Sequence, residues 1–177
     1  MLLREAKNIG DLYHFTSAKN AIAIMDDNKL GKILPDKSWD FFSKKKTQKP
    51  IISFTRNKNF YKAYRAIGAP LHSYFIVDGK KLSQNYKIKP HHDKTALFSP
   101  YKEDSEAEER VEKLIPNFIT KYVKTLVIIK ANFEDEAWAD NVAMWEPDSE
   151  WGNKDPKDLI NILKNKAKSK GIKVRII

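Results

Sequence analysis

The side chains that could do chemistry gather in three short stretches. Leu12-Tyr13-His14-Phe15-Thr16-Ser17 offers an imidazole and hydroxyls. Ile51-Ile52-Ser53-Phe54-Thr55-Arg56 offers two hydroxyls and a guanidinium, and Glu106-Ala107-Glu108-Glu109-Arg110-Val111 is dense in carboxylates. The first two read as strands, because aromatic and β-branched residues alternate with polar ones. Alternate residues of a strand share a face, so His14 is expected beside Thr16, and Ser53 beside Thr55. Hydroxyls, an imidazole and Arg56 on two such strands would suit the floor of a small-molecule or nucleotide cleft. Each also has an ordinary structural reading. A histidine among aromatics is commonly a hydrogen-bonded structural residue, Ser53 and Thr55 suit any strand, and a glutamate cluster is usually a solvated face.

The elements that must position these residues follow from period and punctuation. Ser17 is a fitting N-cap for a helix from Ala18 to about Asn28, with Ala18, Ala21, Ile22 and Met25 on one face and Gly31 ending it. A short helix is expected over Leu2–Asn8, and a basic loop over 32–50. Asn57 can cap a helix from Lys58 to Ile67. Leu71–Val77 reads as a strand with Asp78-Gly79 as a tight turn, and Tyr86–Lys89 as a brief extended piece before an irregular loop over 90–100. The run 105–112 could be helix or strand. Pro116–Lys121 looks like one or two helical turns, and Lys124–Lys130 like a strand buried on both faces. Asp155-Pro156 opens a helix to about Ser169 with Leu159, Ile160, Leu163 and Ala167 inward. Gly171 caps it, and Ile172–Ile177 closes the chain as a strand. No internal repeat or linker divides residues 1–177, and mixed short strands and helices indicate one α+β domain.

Composition narrows the classes. The chain has 177 residues, no cysteine and a formal net charge of +10. Disulfides, thiolate metal sites and cysteine nucleophiles are excluded, and an intracellular, cytoplasmic setting is the simplest expectation. No apolar run approaches the length of a membrane span. From Lys37 to Arg65 there are nine Lys or Arg residues and one acid, Asp40, interleaved with Trp39, Phe41, Phe42, Phe54, Phe60, Tyr61 and Tyr64. Cations alternating with rings suit a DNA or RNA strand, with Lys44, Lys45, Lys46, Lys58, Lys62 and Arg65 as phosphate contacts. A solvated lysine face over core aromatics is the competing reading. From Ala131 to Asn153 there are seven acids and no Lys or Arg, with Trp138, Trp145 and Trp151; this reads as an irregular excursion packed by its indoles. His91-His92-Asp93 has no further ligands at a recognisable spacing, so no metal is expected. There is no GxGxxG motif and no P-loop.

Taken in order, the His14, Ser53–Arg56 and glutamate blocks resemble the ADP-ribosyltransferase superfamily over about residues 11 to 130. The YHFTS stretch ahead of an amphipathic helix is most similar to the DNA-targeting toxins of that superfamily and their phage-borne relatives. The resemblance implies two small, mostly antiparallel sheets around an NAD cleft with peripheral helices, and a monomer. It implies cleavage of NAD at the nicotinamide bond and transfer of ADP-ribose to a macromolecule, nucleic acid favoured over protein. Tyr13, His14, Phe15 and Thr16 would bind the cofactor, with His14 holding the ribose or nearby backbone. Tyr61 would stack on nicotinamide. Ser53 and Thr55 would support the glutamate, and Arg56 would hold a phosphate or polarise the acceptor. The glutamate would stabilise an oxocarbenium-like sugar and could deprotonate the acceptor. Glu109 is favoured because Val111, two residues on, fits a core-facing strand position; Glu108 and Glu106 are the alternatives. The second motif is not that of the arginine-directed enzymes, and no acceptor-recognition loop can be matched. A non-catalytic basic nucleic-acid-binding protein and a metal-independent ribonuclease are the competing functions.

Overall fold

The computed structural model describes residues 9–31, 52–59, 71–90, 108–133 and 155–177. Several expectations lie outside them: the Leu2–Asn8 helix, the loop with Lys44, Lys45 and Lys46, and the helix body with Tyr61, Lys62 and Arg65. So do His91-His92-Asp93, Glu106 and the acidic segment beyond Phe133. The elements are β1 (Asp11–Thr16), α1 (Ala18–Asp27), β2 (Lys29–Leu30), β3 (Ile52–Thr55), β4 (Ser73–Asp78), α2 (Gly79–Ser83) and β5 (Lys89–Pro90). They continue with β6 (Glu108–Val111), β7 (Ile115–Pro116), α3 (Phe118–Tyr122), β8 (Val123–Ile128), α4 (Pro156–Ser169) and β9 (Lys173–Ile176). The chain is α+β. No helix among the described residues is long and apolar enough to cross a membrane.

Seven strands form one sheet in the order β5-β6-β3-β1-β4-β8-β9, and β2 pairs β7 in a separate two-stranded ribbon. All pairs are antiparallel except β8 with β9, which the α4 crossover makes parallel. In place of two small sheets there is therefore one large sheet and a ribbon. The large sheet has a thin seam. β1 and β4 are paired over six positions, from Asp11 with Asp78 to Thr16 with Ser73, whereas β1 and β3 share one registered pair, Tyr13 with Thr55.

One face of the sheet carries the main core. Leu12, Ile52, Phe54, Phe75, Val77, Leu126 and Ile128 meet side chains from the four described helices, among them Met25, Leu82, Phe118 and Leu163. The inward residues of α1 and α4 are the ones their 3.6-residue period selects. On the other face, Tyr74, Val127 and Ile129 form a smaller cluster with Tyr13, Phe15 and Ile76 packed against it.

Two local expectations change. Asp78-Gly79 is not a hairpin turn: Asp78 caps α2, its Oδ1 accepting from the Lys81 N–H at 3.0 Å. Gly79 is required there because a Cβ would lie 2.2 Å from the Gly10 carbonyl oxygen and 2.6 Å from an Ile9 methyl. Nor does Gly31 end α1. Asn28 does, in the left-handed region at φ 50°. Its Oδ1 accepts from the backbone N–H groups of Ile119 (2.9 Å) and Thr120 (3.2 Å), and its own carbonyl accepts from the Phe118 N–H. One asparagine thus ends α1 and satisfies the first amides of α3, which have no partners inside their own helix. Asn28→Gly keeps the backbone freedom and loses the side-chain bonds; Asn28→Ala loses both. Denaturant unfolding should show both variants destabilised, by about 1–3 kcal/mol, with alanine the worse of the two. Equal stability of the alanine variant and wild type would contradict this role.

Candidate active site

Strand register decides which side chains can meet. Phe54 pairs with Glu109 and Ile52 with Val111, so these four share a face; Ser53 pairs with Arg110 and Thr55 with Glu108 on the other. Tyr13 pairs with Thr55, which places His14 opposite Phe54 one step along the strands. His14 also pairs with Phe75, and Phe75 with Leu126. Glu109, Phe54, His14, Phe75 and Leu126 therefore form one row across the core face. His14 and Glu109 stand two strand spacings apart, about 10 Å, with Phe54 between them.

This corrects the expected arrangement. Ser53 and Thr55 share a face with each other but not with His14 and Thr16. Tyr13 and Phe15 also lie on the far face, where both rings pack on Tyr74, at centroid distances of 5.8 and 4.7 Å. The side chains of Tyr13, Phe15, Ser53 and Thr55 do not join the Glu109 face. Thr16 does, buried, its carbonyl accepting from the Ser73 hydroxyl at 3.4 Å. Among the glutamates, Glu109 lies on the same face as His14, and Glu108 pairs with Thr55 in the register.

Glu109 is buried, with 5% of its side chain exposed, and its Oε1 lies 2.5 Å from Nη2 of Arg56, whose side chain is 50% exposed. A carboxylate removed from water in an apolar row with Phe54 and Val111 needs such a partner. Thr55 contributes from behind. Its Oγ1 accepts from the Asn57 N–H at 3.0 Å, and Asn57 Oδ1 accepts from the Asn59 N–H at 2.9 Å. These two turns bend the chain directly after β3 and so set the position of Arg56. The threonine expected to support the glutamate acts through the arginine instead.

His14 bridges the seam. Its Nδ1 lies 3.0 Å from the Ser53 carbonyl oxygen, which can only accept, so Nδ1 carries the hydrogen. Part of the residue reaches the surface, but the ring itself is densely surrounded, by Phe54 at 5.7 Å and Phe118 at 6.4 Å between centroids. Burial lowers its pKa, against a smaller upward effect of the Ser53 carbonyl. Neutral His14 with hydrogen on Nδ1 leaves Nε2 as an acceptor. Among the described residues, no three His, Cys, Asp or Glu side chains are grouped to hold a metal ion.

His72 carried no sequence signal, being one polar residue near the start of the strand expected over Leu71–Val77. It is 8% exposed. Its Nδ1 accepts from the Ala18 N–H at 3.1 Å, the first amide of α1, and its ring lies 4.4 Å from that of Phe133. It fixes the start of α1, and hence the end of β1, two residues beyond His14 on the same strand face. Asn132 completes this corner, its Nδ2 donating to the Leu71 carbonyl at 2.6 Å.

Burial lowers the His72 pKa to about 4 from its ordinary 6.5, so between these values the unfolded chain binds more protons than the folded one. Stability is then full above pH 6.5 and falls as pH drops towards 4, by about 3 kcal/mol in all. Denaturant midpoints across that range should fall for the wild type, with a flatter profile in His72→Gln; identical profiles would remove His72 as the cause. No protein-family model matches the chain, and no curated protein matches it.

Proposed function

We propose that the protein is an NAD-dependent ADP-ribosyltransferase acting on a macromolecule, a nucleic acid in preference to a protein. One observation carries this reading. A buried glutamate, Glu109, is held by a half-exposed arginine on the face that also carries His14, across three adjacent strands, β6, β3 and β1. These strands hold the three motifs that resemble the superfamily. A carboxylate held out of water against a cation is suited to a positive charge that appears only during reaction, because its stabilising power is not screened.

In this scheme NAD is the donor substrate. The bond between ribose C1′ and the nicotinamide nitrogen breaks, its electron pair leaving with neutral nicotinamide. Glu109 stabilises the positive charge developing on the ribose, and the acceptor's nucleophilic oxygen or nitrogen then bonds to C1′. The acceptor's proton passes to the Glu109 carboxylate or to water. Arg56, with its guanidinium reaching solvent, is suited to the diphosphate, which competes with Glu109 for it. His14 Nε2 can accept from a ribose hydroxyl. Tyr13, Phe15 and Thr16 would contribute backbone groups, and Tyr61 remains the candidate for the nicotinamide ring. A monomer in an NAD-supplied, intracellular setting is the simplest context.

Incubation with labelled NAD and separate pools of single-stranded DNA, RNA and protein tests this. Label should pass to a nucleic-acid pool with release of nicotinamide, and Glu109→Gln should lower the rate by at least ~10²-fold. The same variant should keep or raise the melting temperature, because a buried amide is less costly than a buried carboxylate and Arg56 can turn to water. Absence of nicotinamide release, full activity of Glu109→Gln, or a variant that is destabilised by several kcal/mol would each count against a catalytic Glu109.

A further inference from the structure

One run of basic residues that this site does not use lies at the opposite edge of the sheet. Past Asp158 the chain carries no acid, and Lys164, Lys166, Lys168, Lys170, Lys173 and Arg175 fall within twelve residues. Lys166 is ion-paired with Asp26 of α1. Lys168, Lys170, Lys173 and Arg175 are exposed and form no ion pair with a described residue. Two ordinary explanations each cover half of this group. Cations in the last turn complement the dipole of α4, and charges on an edge strand deter pairing with another sheet. Neither requires the two halves to adjoin, yet Gly171, at φ 71°, turns the end of α4 straight into β9. The result is one basic border whose four exposed cations form no ion pair with a described residue.

We propose that this border, from Lys168 to Arg175, is a docking surface for the backbone of a single-stranded nucleic acid. Lys173 and Arg175 share a face of β9 about 6.6 Å apart, a spacing like that of successive phosphates in an extended strand. A membrane surface fits less well. A helix that lies on a bilayer needs a free apolar face, and Leu159, Ile160, Leu163 and Ala167 of α4 are buried; Ile176 and Ile177, 40% and 41% exposed, are the apolar side chains left at this edge. β9 is three strands from β1 and four from β3, about 14 and 19 Å, a distance that a few nucleotides span. Lys173 and Arg175 pair with Thr125 and Val127 on the far face of the sheet, so a strand held there reaches the His14–Glu109 row only by passing round the sheet. That route rests on the transferase reading; the docking itself does not.

The test compares the full chain with a variant combining Lys168→Gln, Lys170→Gln, Lys173→Gln and Arg175→Gln, without NAD. Fluorescence anisotropy with a labelled single strand of about 16 nucleotides should show at least ~10-fold weaker binding at low salt, and a log affinity against log salt slope shallower by up to ~3. The melting temperature should be unchanged, since all four side chains are exposed. In the presence of NAD, labelling of the long strand should fall while labelling of a strand of about 4 nucleotides holds. Unchanged affinity and salt slope would overturn the proposal. So would unchanged oligonucleotide binding with lost binding to phosphatidylserine–phosphatidylcholine vesicles, which would assign the edge to a membrane. No labelling by either protein, with the binding difference intact, would remove the transferase reading and leave the docking surface standing.

Discussion

Burying the carboxylate of Glu109 is the constraint on which the rest of the site depends. Hydrophobic strand packing alone would place an apolar side chain between Val111 and the edge of the row, and an ionised group there is unfavourable unless paired. Arg56 supplies the pair from the solvent side, and its position is set by the Thr55 and Asn57 turns. The site is thus a local exception to the core's chemistry, held in place by backbone geometry that is otherwise ordinary. Such exceptions concentrate where a protein keeps a group for function.

A second constraint runs through Phe118. Its ring meets those of His14, Phe54 and Phe75 at centroid distances of 6.4, 6.4 and 5.9 Å, beneath the seam where β1 and β3 share a single registered pair. The seam is closed by side chains rather than by a full ladder, above all by His14 on the Ser53 carbonyl. Phe118 in turn opens α3, whose first amides are satisfied by Asn28 at the end of α1. The orientation of His14 therefore depends on a helix end some distance along the chain. This is a rigid support for the His14 ring, of the kind that a preorganised site requires.

Much of the fold is legible in the sequence because it rests on local rules. Ser17, Asp155-Pro156 and Gly171 punctuate α1 and α4 where capping chemistry puts them, and the buried residues of both helices follow their period. β8 is buried on both faces only from Leu126 to Ile128, while Lys124 near its start is exposed and paired with Asp11. The site was less legible because faces across a sheet depend on register. Within one strand the alternation holds, but nothing in Tyr13–Thr16 or Ser53–Arg56 states that Tyr13, and not His14, lies opposite Thr55. One residue of register moved the Ser53 and Thr55 hydroxyls behind the sheet. The acidic run was readable only as far as Glu109 and Val111 sharing a face. Asp78-Gly79 shows the same limit, since its use as a helix cap is dictated by the backbone of Gly10, distant in sequence.

The central claim is that the Arg56–Glu109 pair and His14 form one NAD-binding face. An NMR titration with an NAD analogue whose nicotinamide bond cannot break tests it most directly, with the Arg56 guanidinium, the Glu109 carboxylate and the His14 ring as resolved probes. Saturable shifts at all three, with Lys173 and Arg175 unmoved, are the predicted result. No shift at any of the three under saturating analogue, or shifts confined to other residues, would contradict the account.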